Sequence, residues 1–319
     1  MKKTSALWTV WLKAAIGVGL LAILFSTLDP AQFAATLAAV RLEFVVAALF
    51  AYIVGKILTA ARWALLARPL GFTQRLKDFV AFYYIGMFFN LFALGTLGGD
   101  AGKIFYLARD EDPNGRADAS ARALVTILAD RAIGMAVLVW IGAAALLTFP
   151  SYAALVPATV RYATFVIAAA PIAGYALFPF LVRGLEKIPH SLARKLRDLG
   201  AAYWRRPDVL GGSILVSLVF HLMQIWIQIL IADALRFELP WSYAFVFFPL
   251  VDIVTMLPVS ISGMGLREGG YLFFLGKLGI GAEKAVACGI VWLAIVIASG
   301  LVGGMIFVLY RRRGQSESA

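Results

Sequence analysis

Histidine and cysteine are almost missing from this 319-residue sequence, which has two histidines, His190 and His221, and one cysteine, Cys288. A lone cysteine excludes an internal disulfide. Two histidines leave almost no room for a His/Cys metal centre, so neither a metal nor a cofactor is expected. Charge is scarce as well. Asp, Glu, Lys and Arg make up 15% of the chain, against about 25% in a soluble globular protein. No stretch is long and polar enough to fold outside a bilayer. The expectation is one transmembrane domain over 1–319 and not a soluble enzyme.

What fills the sequence is apolar: 62% of its residues. Long apolar stretches run over about 6–26, 43–66, 78–97, 121–149, 158–182, 208–235, 243–260 and 283–310, with a shorter one at 266–278. Several exceed the ~18 residues that mark a membrane span. The fold class is therefore an all-α polytopic membrane protein. The first stretch follows Lys2 and Lys3, is interrupted by Lys13, and lacks a small-x-small cleavage site, so it reads as an uncleaved span. The net charge of +11 would suggest nucleic acid in a soluble protein. Here the basic residues sit between spans, where they orient the chain, and no nucleic-acid partner is expected.

Loop charge sets the topology. The loop 183–207 carries Arg183, Lys187, Arg194, Lys195, Arg197, Arg205 and Arg206 and reads as cytoplasmic. The same holds for the N-terminus, the loop with Arg68, Arg75 and Lys77, and the tail Arg311-Arg312-Arg313. The segments 27–41, 150–161 and 236–242 carry one Arg each and read as external. Eight simple spans cannot satisfy these assignments. Segment 78–97 must enter and leave on the inner face, and 243–278 on the outer face. The expectation is about six spanning helices plus two opposed re-entrant helical hairpins. These form an inverted repeat, with 43–149 as its first half and 208–310 as its second. Gly115 should then be reached from the cytoplasm and Gly279 from outside.

Each re-entrant segment contains turn chemistry: Gly95 through Gly98-Gly99-Asp100 to Gly102-Lys103, and Pro258 through Gly263-Met264-Gly265 to Arg267-Glu268. Glycine allows backbone angles that a helix forbids, and proline removes a donor. A half-helix starting after each turn would present free N–H groups to an anion. Two such termini meeting at the midplane are the pattern of an inverted-repeat transporter; glycines that merely let helices pack closely are the competing reading. Ionisable residues inside spans mark function by default. The candidates are Lys56, Arg62, Asp130-Arg131, His221 with Gln224 one turn on, and Asp252, beside Asp100, Lys103, Arg267 and Glu268 at the turns; His221 reads as a hydrogen-bonded packing residue rather than a proton carrier. Snorkelling to the inner interface competes as a reading of Arg62. Helical neighbours do not face each other, so Asp130 and Arg131 should find partners on other helices. A structural role in holding the bundle is the competing reading for both.

These residues carry a resemblance. Phe88-Phe89-Asn90 leading to Gly98-Gly99-Asp100 and Lys103 is one element. Asp130-Arg131-Ala132-Ile133-Gly134 is the second, and Leu257-Pro258 through Gly263-Met264-Gly265-Leu266-Arg267-Glu268-Gly269 is the third, with Arg62-Trp63 beside them. Together they resemble the membrane domain of lysylphosphatidylglycerol synthetases and of stand-alone flippase-like proteins, over nearly the whole chain. Leu97 and Ser262 stand where that family usually has glycine, Asp130 where it has Glu, and Asp252 where it often has Asn. The resemblance implies lipid translocation or lipid-linked transport. It does not imply lysyl transfer, which belongs to a soluble domain expected to be absent here.

The expected function is movement of an anionic or phosphate-bearing lipid head group past a midplane site between the hairpins. The candidate substrate-binding residues are Arg62, Gly98, Gly99, Asp100, Lys103, Asp130, Arg131, Gly263, Gly265, Arg267 and Glu268. The expected setting is the bacterial plasma (inner) membrane with both termini cytoplasmic, membrane lipids as partners, and possible homodimerisation. Two other readings stay open. One is an intramembrane lipid-modifying enzyme using Asp100, Asp130 and Glu268, against which stands the lack of a multi-Asp metal motif. The other is a non-transporting partner of a lipid biosynthesis complex.

Overall fold

The computed structural model describes residues 15–92, 96–109, 115–186, 200–256, 260 and 263–316, and these are mainly helical, with no strand among them. Five helices are long and apolar enough to cross a membrane: α3 (Leu42–Ala67), α6 (Arg116–Thr148), α8 (Ala158–Glu186), α10 (Pro207–Ala234) and α13 (Ala282–Ser316). A sixth span is available if α1 (Ala15–Ser26) and α2 (Pro30–Ala38), bent by 98° at their junction, count as one. Asp29 makes that bend by capping α2: its Oδ1 accepts from the backbone N–H of Ala31 at 2.8 Å and of Gln32 at 3.1 Å, and Pro30 stands where no donor is needed. The chain is a multi-pass, all-α membrane protein.

The remaining helices are shorter. The α4 helix (Leu76–Phe92) and α5 (Thr96–Ala108) pack side by side as a hairpin, as do α11 (Trp241–Thr255) and α12 (Leu266–Gly276). A single turn, α7 (Pro150–Ala153), and the stretch α9 (200–204) complete the list. The hairpins open at opposite ends of the bundle. Gln74 donates to the Leu107 carbonyl at the mouth of the first, and the Tyr243 hydroxyl to the Phe274 carbonyl at the mouth of the second. The first mouth shares its end with Tyr203, which donates to the Leu66 carbonyl, and with Tyr310 against Phe82. The second shares its end with Arg41, whose N–H reaches the Ala234 carbonyl, and Lys284, which reaches that of Arg236. Gly115 lies at the first end and Gly279 at the second.

The packing contacts come in matched pairs. The α3 helix lies antiparallel on α10, with Arg41 beside Ala234, Gly55 on Phe220 and Leu65 near Gly212. Around that central pair α6 packs on α11 as α13 packs on α4, α5 on α6 as α12 on α13, and α10 on α6 as α13 on α3. The α8 helix lies at the edge, tied to α6 by the Trp140 indole donating to the Ala168 carbonyl; Tyr162, Val166 and Phe180 on it are exposed.

The structure differs from the sequence reading in the first hairpin. Residues 93–95 lie outside the described residues, and α5 begins at Thr96, before Gly98 and Gly99. Gly98, Gly99 and Gly102 are inside the helix, and the small size of Gly99 lets α4 and α5 approach. A Cβ on Gly99 would sit 2.2 Å from the Gly86 carbonyl oxygen. This is the small-residue packing of membrane helices rather than turn formation. The second hairpin keeps its turn glycines: Gly263 and Gly265 have φ of 73° and 80°, a conformation that suits glycine.

The α1 helix covers that second turn. Gly17 is buried against Met264, and a Cβ at Gly17 would stand 3.7 Å from the Met264 Cβ. That is the Cβ separation of a disulfide. In a Cys288→Ala background, Gly17→Cys with Met264→Cys is expected to cross-link on mild oxidation, read as a reducible mobility shift after cleavage between α1 and α12. Gly19→Cys, with nothing within 4 Å, should stay uncross-linked.

Candidate functional site

The interior of the bundle is polar where the central helices cross. Arg62 comes from α3, far enough from the helix end to be buried, with 4% of it exposed. Its Nε donates to Asp130 Oδ1 on α6 at 2.7 Å and its Nη1 to Ser217 Oγ on α10 at 2.6 Å. One guanidinium thus ties three helices, using the planar fork that lysine lacks. Gly134 gives it room, since a Cβ there would lie 3.0 Å from Nη1. The snorkelling reading of Arg62 is overturned: a buried carboxylate holds the side chain inward.

His221 on α10 lies beside this pair, its Nε2 2.9 Å from the Gly134 carbonyl oxygen. A carbonyl only accepts, so Nε2 carries the proton. Nδ1 is buried and has no hydrogen-bond partner among the described residues.

The first hairpin contributes Asp100 and Lys103. Lys103 is turned inward and buried, with Nζ 4.0 Å from the centre of the Tyr83 ring and 3.8 Å from Asp100 Oδ1. Asp100 Oδ2 also accepts from Arg131 Nη2 of α6 at 2.6 Å. Asp130 and Arg131, adjacent in sequence, therefore point to different partners on α3 and α5. Lys103 stands two turns inside α5 rather than at its start, which corrects its expected place at a helix N-terminus. Gly86 of α4 makes space for it, because a Cβ at Gly86 would come within 2.9 Å of Lys103 Cε.

The second hairpin contributes Asp252, Arg267 and Glu268. Gly265 is the N-cap of α12, and its N–H donates to Glu268 Oε2 at 2.7 Å. Glu268, 1% exposed, fits against Gly289 of α13, where a Cβ would stand 2.8 Å from its Cγ. The expected anion-binding terminus is thus already occupied by the helix's own carboxylate. The Thr255 hydroxyl donates to the Asp252 backbone carbonyl at 2.7 Å and lies 3.4 Å from its Oδ1, and Asp252 is within electrostatic reach of Arg267 and Lys56. The Tyr271 hydroxyl donates to Gln228 Oε1 at 2.8 Å. Leu257, Pro258, Val259, Ile261 and Ser262, like Gly95, lie outside the described residues.

Sequence reasoning missed most of α10's part. Ser213, Ser217, His221, Gln224 and Gln228 are all buried and recur every three or four residues, which places them on one helical face. That stripe was a signal available in the sequence, since polar residues at helical spacing in an apolar span point inward. It runs from the Arg62–Asp130 pair to Tyr271. Among the described residues no group of three or more His, Cys, Asp or Glu stands ready for a metal ion.

Comparison with known proteins adds one finding. The family model described as "Lysylphosphatidylglycerol synthase TM region" matches residues 10–304. No curated protein and no solved structure matches the chain.

Proposed function

The chain belongs to the lysylphosphatidylglycerol synthase TM-region family, and from that membership we propose that it is a lipid transporter of the flippase type. It moves an anionic or phosphate-bearing head group across the inner membrane, and the hairpins α4–α5 and α11–α12 are re-entrant. The observation that carries this reading is the placing of charge by the hairpins. They open at opposite ends of the bundle and bring Asp100 and Lys103 from one end, beside Arg131 of α6 and Trp63 of α3, and Asp252, Arg267 and Glu268 from the other, with Glu268 against α13. Charges are costly at such depth and are kept where a substrate path uses them. The matched contacts of the two helix sets support an inverted repeat of 43–149 and 208–310, in which the halves rock against each other around a fixed centre. The polar face of α10 supplies hydrogen-bonding groups along the path. Transport needs no covalent step, and the carboxylates here serve as counter-charges to the cations.

The test uses purified protein in vesicles with a head-group-labelled anionic phospholipid and an impermeant quencher. Wild type is expected to expose the inner-leaflet label, and Arg267→Ala to fall at least tenfold toward protein-free vesicles, the effect of losing one charge-assisted contact worth about 1.4 kcal/mol or more. Equal, background-level rates for both proteins with several anionic lipids would overturn the proposal.

A further inference from the structure

Lys56 lies near the middle of α3, half-buried in the bundle. Its ammonium sits over two rings, 4.5 Å from the centre of Tyr52 and 4.9 Å from that of Phe220. Among the described residues no oxygen lies within hydrogen-bonding or ion-pairing distance of it. The neighbouring cations are differently placed. Arg62 is held by Asp130, and Lys103 and Arg131 share Asp100. Lys56 is within electrostatic reach of Asp130, which belongs to the first helix set, and of Asp252, which belongs to the second.

Two aromatic faces hold an ammonium through the ring quadrupole and leave all three of its N–H donors unused. Asp130 and Asp252 act on this ammonium only from a distance, so an anion in direct contact would stabilise it further. A ligand phosphate oxygen supplies that contact. Tyr52 and Phe220 come from α3 and α10, the antiparallel central pair, so this cation is fixed at the contact between the two helix sets and not on a moving hairpin.

We propose that Lys56 is an anion-binding residue of the transport path, taking the phosphodiester of an anionic phospholipid between the rings of Tyr52 and Phe220. This rests on the transport reading above and names a binding group within it. Lys56 confers charge selectivity: it favours an anionic over a zwitterionic head group. The same chemistry would accept free phosphate, and the experiment separates the two.

Purified wild type, Lys56→Met and Lys56→Arg are compared by thermal unfolding in detergent with added phosphatidylglycerol, phosphatidylcholine or inorganic phosphate, and by the vesicle assay with the two lipids. Phosphatidylglycerol is expected to stabilise wild type more than phosphatidylcholine does. Lys56→Met should lose that preference with a roughly tenfold to hundredfold weaker phosphatidylglycerol response, while Lys56→Arg retains it. Equal preference in wild type and Lys56→Met, in binding and in transport, overturns the inference. Stabilisation by inorganic phosphate alone also overturns it, since the site would then serve a soluble anion. Should Lys56→Met not fold, Phe220→Leu, which opens the aromatic clamp, must shift the lipid preference, and an unchanged preference counts against the proposal. Lys56-dependent lipid binding without any flipping by wild type would leave the binding residue standing and remove the transport reading.

Discussion

Arg62→Ala is expected to lower the unfolding free energy by about 3–5 kcal/mol, the cost of leaving one partner of a buried ion pair alone. The carboxylate left behind is Asp130, with 9% of its side chain exposed. Little of it is open to water, and Arg62 is the one cation within ion-pair distance of it among the described residues. Ser217 loses its partner as well. Asp130→Ala should cost a similar amount through the stranded guanidinium. The double replacement should cost clearly less than the sum of the singles, because neither charge then remains to be buried uncompensated. Thermal or denaturant unfolding of the four proteins in one detergent gives the cycle. Additive losses would mean that the two residues act independently. The exposed pair Arg206–Asp208, at 2.9 Å, is the control, and breaking it should leave the midpoint unchanged because solvent screens it.

The second large effect concerns backbone approach. Gly303→Ala on α13 is expected to destabilise by about 3 kcal/mol or more. A Cβ there would lie 2.0 Å from the Tyr84 carbonyl oxygen of α4, and neighbouring Gly300 and Gly304 press on Leu91 and Phe88. A side-chain clash can be relieved by a rotamer change, but a backbone clash requires the helices to separate. The first hairpin rests on α13 through this contact, so Arg131 should also lose its hold on Asp100 and transport should fall with stability. Gly174→Ala on α8 is the contrast. Nothing lies within 4 Å of that Cβ, so alanine should be neutral or gain a few tenths of a kcal/mol from helix propensity.

Charge arithmetic in the loops set 78–97 and 243–278 apart from the simple spans, and short helices stand there, α4 with α5 and α11 with α12, since lysine and arginine between spans follow orientation, a property of the sequence alone. The partners of Asp130 and Arg131 were legible as a necessity, since neighbours on a helix diverge, but not as identities. Arg62 and Asp100 are 68 and 31 residues away, and only the packing brings them in. The same glycine signal led to two different structures. Gly263 and Gly265 make a turn, whereas Gly99 serves close helix packing. Glycine satisfies both demands by lacking a Cβ, so the sequence cannot separate them without the neighbouring helix. Glu268 was read as a charge for a ligand and is found capping its own helix, a role foreshadowed by its position three residues after Gly265. Lys56 was visible as a cation inside a span. Its aromatic clamp was not, because Phe220 arrives from the other half of the chain.

The central claim is that the two hairpins open on opposite faces of the membrane, since a path between them depends on it. The direct measurement is single-cysteine labelling in intact cells, in a Cys288→Ala background, with an impermeant maleimide applied before and after permeabilisation. Gly115→Cys reports the end where the first hairpin opens. Lys277→Cys, exposed just beyond α12, reports the other end, and is preferable to Gly279, whose φ of 75° disfavours a side chain. Lys277→Cys is expected to label in intact cells and Gly115→Cys only after permeabilisation. Labelling of both from the same face would contradict the opposed hairpins and the transport path built on them.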